Sequence, residues 1–140
     1  MPRYILLILV ALSIALFWVT GAARADILIN KASGSKVLDA HSNDVGKNGC
    51  RVQLWEWNNL PHQQWKLESV GDDFYKIVNQ ASGLVLDAHS NDVNKNGCRV
   101  QLWEYKTEMQ QQWKLVKVGD YYKIINRASG KVLDAHSNDV

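Results

Sequence analysis

The chain has 140 residues, with 16 Lys+Arg against 14 Asp+Glu and a formal net charge of +2. Arg3 and Arg24 lie in an N-terminal stretch without acids, so residues 26–140 carry 14 charges of each sign and no net charge. A neutral body excludes the concentrated positive charge that general nucleic-acid binders and polybasic membrane-surface proteins need, and 115 residues suit one domain rather than a multidomain enzyme.

Pro2, Arg3 and Tyr4 form a short basic start, Ile5 to Val19 is an unbroken apolar run, and Ala23, Arg24 and Ala25 follow. A basic region, an apolar region and an A-x-A exit describe a secretory signal peptide over residues 1–25. The expected location is therefore secreted, extracellular or periplasmic, with no membrane attachment after cleavage. A retained anchor is the alternative, since the run counted through Ala23 approaches the ~20 residues of a spanning helix. The A-x-A exit favours cleavage.

The rest of the chain repeats itself. Val37 to Lys66 and Val85 to Lys114 are identical at 23 of 30 positions with an offset of 48, and a third copy of VLDAHSNDV starts at Val132. Each copy follows a lead-in that ends in asparagine and Ala-Ser-Gly: Ile27 to Gly34, Lys76 to Gly83, and Lys123 to Gly130. The units run over about 26–73, 74–120 and 121–140, the third being partial.

In chain order, each unit reads as four short strands. Unit two shows them as Phe74 to Asn79, Val85 to His89, Arg99 to Tyr105 and Gln112 to Val118. Branched and aromatic residues fill these runs, and Gly, Asn, Asp and Ser separate them. No segment outside the N-terminal stretch sustains a helical period. The fold class is all-β. Alternation sorts the faces. Leu38 and Ala40, with Val52 and Leu54, make an apolar face. Asp39 and His41, with Gln53, Trp55 and Trp57, share the other, an odd mixture for a merely solvated surface.

Gln63, Gln64 and Trp65, and again Gln111, Gln112 and Trp113, are Q-x-W motifs. Together with Val-Leu-Asp and Val-Gln-Leu-Trp at matched spacing in tandem, they make the chain resemble the ricin B-type lectin family, the Q-x-W β-trefoil. The resemblance implies twelve strands, six in a barrel and six in three capping hairpins. This chain would supply ten, with the third repeat truncated. It would then leave two hairpin edges uncovered, to be completed by another chain or by self-association.

The resemblance also implies carbohydrate binding, to galactose-type or other sugars, one shallow site per unit. Unit one gives Asp39 as the carboxylate, Trp55 as the stacking ring, Gln53 beside it, Gln63 steadying Asp39, and His62 at a sugar-contacting position. Unit two gives Asp87, Trp103, Gln101, Gln111 and Gln110 in the same order. Unit three offers only Asp134, and no working site is expected there. The chemistry suits these residues. A ring covers the apolar C–H patch of a sugar, a carboxylate accepts from hydroxyls, and amides donate and accept.

The bland reading keeps Asp39 and Asp87 as loop formers. Capping alone does not require an outward Trp on the next strand. Trp65 and Trp113 read as core. The family's disulfide positions hold Val37 with Trp57 and Val85 with Tyr105, so Cys50 and Cys98 are expected to be free or intermolecular thiols. Ala-His-Ser-Asn-Asp has a triad composition, but triad members meet through space and not as chain neighbours. The reading is a non-enzymatic lectin domain with no catalytic residue, metal or cofactor. Its alternatives are a structural or protein-binding trefoil, or the binding module of a larger secreted glycoside hydrolase.

Overall fold

A computed structural model describes residues 25–136 and the backbone of Ile5–Ile8. The leader expected over residues 1–25 otherwise lies outside the described residues. The strands are β1 Ile5–Ile8, β2 Ile27–Asn30, β3 Val37–Ala40, β4 Cys50–Trp55, β5 Trp65–Gly71, β6 Phe74–Asn79, β7 Val85–Ala88, β8 Val100–Trp103, β9 Trp113–Val118 and β10 Tyr121–Asn126. The all-β expectation holds: the described residues contain no α-helix, and single 3₁₀ turns at Pro61–Gln63 and Met109–Gln111 are their only helical pieces.

Six strands close a barrel. β5 pairs with β6, β6 meets β9 at Tyr75 and Trp113, and β9 pairs with β10. β10 meets β1 at Tyr122 and Ile5, and β1 pairs with β2 over four residues. A bridge between Asp26 and Trp65 completes the ring. The hairpins β3–β4 and β7–β8 cap it, joined where Cys50 and Arg51 pair with Leu102 and Gln101. This is the β-trefoil architecture.

The repeats supply nine of the ten described strands, and β1 comes from the apolar N-terminal run. The tenth repeat strand, expected at Val132, is reduced to a single bridge with Ile125. β3 and β7 each pair with a hairpin mate, whereas the 140 residues hold no corresponding run after Val132. Val132 is 40% exposed, against 1% for its counterparts Val37 and Val85.

Each lead-in strand is turned by the same device. Asn30, Asn79 and Asn126 accept on their backbone oxygens from Gly34, Gly83 and Gly130. Those glycines have φ of 72°, 73° and 68°, the left-handed region that glycine enters without a Cβ clash. The asparagine side-chain oxygens take the amides of Ser33, Ala81 and Ala128 at 3.0, 3.2 and 3.1 Å.

The core holds Leu28, Leu38, Trp65, Ile77, Leu86, Leu102, Trp113 and Ile124. Trp65 and Trp113 tie barrel to cap. Their indole nitrogens donate to the carbonyls of Leu38 and Leu86 at 3.0 and 2.9 Å. A buried indole needs such a partner. Trp113→Phe keeps the ring burial and orphans the Leu86 carbonyl. It should cost about 1–3 kcal/mol of stability, read as a lower urea midpoint with an unchanged slope.

Cys50 and Cys98 are free thiols, the first buried and the second half-buried. Cys50 Sγ donates toward the carbonyls of Arg51 and His41 at 3.4 and 3.6 Å. Burial pushes both thiols above the usual cysteine range, which keeps them protonated and poorly nucleophilic at neutral pH. A thiol-disulfide colorimetric reagent at pH 7.5 should therefore label Cys98 slowly and Cys50 more slowly still, and both fully only in denaturant. Fast labelling of Cys50 in the native protein would contradict this packing.

Candidate functional site

Asp39 sits in the middle of β3, where alternation predicts an outward side chain. It is 2% exposed, and every residue of β3 is buried. The reason is the 3₁₀ turn Pro61–Gln63, which folds over the side of β3 that alternation leaves open. The turn brings Gln63 and His62 to Asp39. Gln63 Nε2 donates to Asp39 Oδ2 at 2.9 Å, and Gln53 Nε2 donates to Asp39 Oδ1 at 2.9 Å. His62 Nε2 lies 3.2 Å from Asp39 Oδ2.

Gln63 is itself fixed on every side. Its amide also donates to the Glu56 carbonyl at 2.8 Å, and its oxygen accepts from the Asn58 amide at 2.8 Å. Asn58 Nδ2 stands 3.5 Å from His62 Nε2. The expected grouping of Asp39, Gln53, His62 and Gln63 is therefore present. Trp55 follows Gln53 by two residues on the same strand face and is 56% exposed. An open indole thus lies beside a carboxylate held rigidly by amides.

Unit two repeats the plan with a different rim. Gln101 Nε2 donates to Asp87 Oδ1 at 3.0 Å. Gln111 Nε2 donates to the Glu104 carbonyl at 2.9 Å, and the Lys106 amide donates to Gln111 Oε1 at 2.7 Å. Gln110, at the position of His62, does not face its aspartate. Its amide donates to the Glu108 carboxylate instead. Trp103 is half-buried and Asp87 is 5% exposed. Burial raises the Asp87 pKa above the ordinary carboxylate value; hydrogen bonding from Gln101 and Gln111 opposes the rise, and the Glu108 charge adds to it.

The third carboxylate differs from both. Asp134 is exposed, outside any strand. It helps line a cleft of about 800 Å³ with Arg51, Gln53, Trp55, Leu133 and His136. Gln53 and Trp55 of the first unit thus open onto that cleft, which Asp39 and Asp87 themselves do not line. His41 and His89 sit in matching loops, each 3.8 Å from an aspartate, Asp44 and Asp92. Among the described residues no cluster of three His, Cys, Asp or Glu side chains could hold a metal. Among them, too, no helix is long and apolar enough to cross a membrane.

The backbone carbonyls of Glu56 and Glu104, and the Asn58 and Glu108 side chains, were not among the residues expected from the sequence. The carbonyls leave no mark on side-chain identity. Pro61 was the available signal for the turn, since proline favours the first helical position.

A family model of the ricin-type β-trefoil lectin domain-like type matches residues 17–103 and 61–139. No curated protein matches the sequence. Among solved structures, the designed three-fold symmetric protein ThreeFoil is 37% identical, with a TM-score of 0.69, over 73% of this chain and 72% of that one. The exo-β-1,3-galactanase 1,3Gal43A of Clostridium thermocellum is 35% identical, with a TM-score of 0.71, over 81% of this chain and 24% of the galactanase. The Polyporus squamosus lectin, bound to a Neu5Aca2-6Galb1-4GlcNAc epitope, shares the fold at 16% identity and a TM-score of 0.64, over 94% of this chain and 38% of that one. With both Q-x-W units folded about their aspartates and the family model spanning most of the sequence, the chain belongs to the ricin-type β-trefoil lectin-like family.

Proposed function

We propose that this protein is a non-enzymatic lectin that binds glycans, galactose-type sugars first among them, through the Asp39 and Asp87 sites. One observation carries the reading: an indole that is 56% exposed, Trp55, stands beside a buried carboxylate locked by two glutamine amides. A structural hub explains the buried half of that arrangement. It gives no reason to leave a tryptophan ring in water, where burying it on a sugar's C–H face is favourable. The similarity to part of a galactanase supports the galactose-type choice.

The preorganised hub limits what each site spends on binding. Gln53, Gln63 and His62 hold the Asp39 carboxylate before a ligand arrives, so little side-chain freedom is lost on contact. Individual shallow sites are weak, and two on one rigid body raise avidity on a dense glycan surface. Export belongs to the same proposal, on the basic-apolar-small pattern of residues 1–25.

The galactanase match favours a second reading, in which the domain serves as the binding module of a larger glycoside hydrolase. Transcript sequence past Val140 separates the two: catalytic sequence in frame selects the module, and its absence selects the lectin.

Retention on a galactose-bearing matrix tests the sites. Trp55→Ala removes an exposed ring and should leave the fold intact. It should weaken retention, and combined with Asp39→Ala and Asp87→Ala should abolish it. Each lost charge-assisted bond is worth ~1.5–3 kcal/mol, or about tenfold or more in affinity. Unchanged retention by a folded triple variant would reduce both aspartates to loop hubs.

Acid should silence the second site early. As pH falls through the raised Asp87 pKa, the carboxyl protonates and accepts sugar hydroxyls less strongly. In an Asp39→Asn background, retention should therefore drop above the pH expected of an unperturbed carboxylate, and Asp87→Asn should remove that limb. The stability sign is opposite. In the window between the ordinary and raised values the native state binds more protons than the unfolded state, so Asp87 makes stability fall as pH rises. Urea midpoints across that window check the sign.

A further inference from the structure

The two units leave different amounts of ring in water. Five large apolar side chains are exposed among the described residues, and three of them, Trp55, Trp57 and Leu60 at 56, 40 and 50%, fall within six residues of unit one. Trp57 sits on a fixed backbone. Gln63, whose amide holds Asp39, also binds the chain on both sides of it. Its Nε2 donates to the Glu56 carbonyl and its Oε1 accepts from the Asn58 amide, each at 2.8 Å. A carbonyl and an amide two residues apart that face one partner form the edge of an extended chain. The chain therefore runs on past β4 with Trp57 on the side of Trp55, their Cα atoms at most about 7 Å apart. Leu60 closes the strip. Its amide donates to Asn58 Oδ1 at 3.0 Å, and Asn58 Nδ2 stands 3.5 Å from His62 Nε2.

Unit two has the same clamp without the open strip. Gln111 binds the Glu104 carbonyl and the Lys106 amide around Tyr105. Tyr105 is half-buried, and the Lys76 ammonium stands 4.9 Å from its ring centroid, within cation–π range. The repeat puts Ile27 at the place of Lys76, so unit one has no ammonium at that position. Trp103 is half-buried too, and the Asn48–Gly49 loop of unit one lies against it. Asn48 Oδ1 accepts from the Glu104 amide at 2.8 Å, and a side chain at Gly49 would touch the Trp103 ring. Glu108 stands where unit one has Leu60, and its carboxylate takes the Gln110 amide.

We propose that Trp57 is a second ring platform of the unit-one site, which takes two consecutive residues of a galactose-type glycan chain, whereas the unit-two site takes one. The proposal rests on the reading of Asp39 and Asp87 as sugar sites. Asp39 and Trp55 hold the first residue. Adjacent pyranose rings in a glycan chain are separated by a distance comparable to the Trp55–Trp57 spacing, so the next ring meets Trp57. Its C–H face covers the indole and removes apolar surface from water. A glycan suits this strip better than the apolar patch of a protein, because polar groups sit among the rings. The Asp39 carboxylate, the His62 imidazole and the Asn58 amide match hydroxyls. The backbone of Trp57 is already clamped, so little freedom is lost on contact.

Titration calorimetry on single-site chains tests this. Asp87→Asn leaves unit one to bind, and Asp39→Asn leaves unit two. The ligands are methyl β-galactoside and a set of β-linked galactobioses. In the unit-one chain at least one galactobiose should bind about tenfold more tightly than the methyl galactoside. In the unit-two chain the ligands should agree within about twofold. Trp57→Ala, a change at an exposed position, should erase the unit-one advantage, and Trp57→Tyr should keep most of it. An advantage that survives Trp57→Ala places the second residue elsewhere. An advantage shared by both chains removes the distinction between the sites, and none in the unit-one chain leaves Trp57 unused by the glycan. A dimer in sedimentation that Trp57→Ala converts to a monomer assigns the strip to a second copy. No sugar bound by either chain overturns the sugar reading itself, a result distinct from a galactoside bound without any disaccharide advantage.

Discussion

A single segment in each unit builds both the core and the site. Trp65 donates its indole proton to the Leu38 carbonyl, and Gln63, two residues earlier, donates to the Asp39 carboxylate. Consecutive residues of β3 are thus gripped by alternate residues of one turn-and-strand. The Q-x-W spacing is what makes this work. Side chains two apart in extended chain lie on one side, so the glutamine and the tryptophan reach the same strand together. Burial of the indole fixes the turn, and the fixed turn holds the carboxylate. A change that loosens the core would therefore also loosen the site.

The two units share this grip and differ at its rim. His62 reaches Asp39 Oδ2 at 3.2 Å, whereas Gln110 turns away to Glu108. The first carboxylate meets three side-chain nitrogens, and the second has an acid nearby that raises its pKa further. A near-perfect repeat up to the third strand thus ends in two chemically distinct sites. The divergence sits in the six residues between Glu56 and Gln63, and between Glu104 and Gln111, where the sequences stop matching.

Barrel closure follows from the backbone more than from side chains. β1 has none of the Q-x-W residues, yet it pairs with β2 in the register of β5 on β6. A strand ladder accepts any chain that can extend and donate its amides, which is why an apolar run can sit there. Asn30, which pairs with Ile5, is buried and keeps its Nδ2 without a hydrogen-bond partner.

Repeat, strand pattern and Q-x-W spacing are local, and they were legible in the sequence. They sufficed for the all-β class and the strand runs, because periodicity and turn chemistry act within a few residues, whereas the trefoil and the aspartate-glutamine groupings came from the resemblance to the ricin B-type family. Asp39 shows where local reasoning ended. Alternation placed it on an open face, and only the turn at Pro61–Gln63, packing from more than twenty residues away, buried it. Gln110 shows the same for the second site, since its partner was chosen by the local path of the turn and not by its place in the motif. The closure by Ile5–Ile8 was likewise a tertiary decision: an apolar run states only that it leaves water, and the unpaired edges of β2 and β10 determine where it goes.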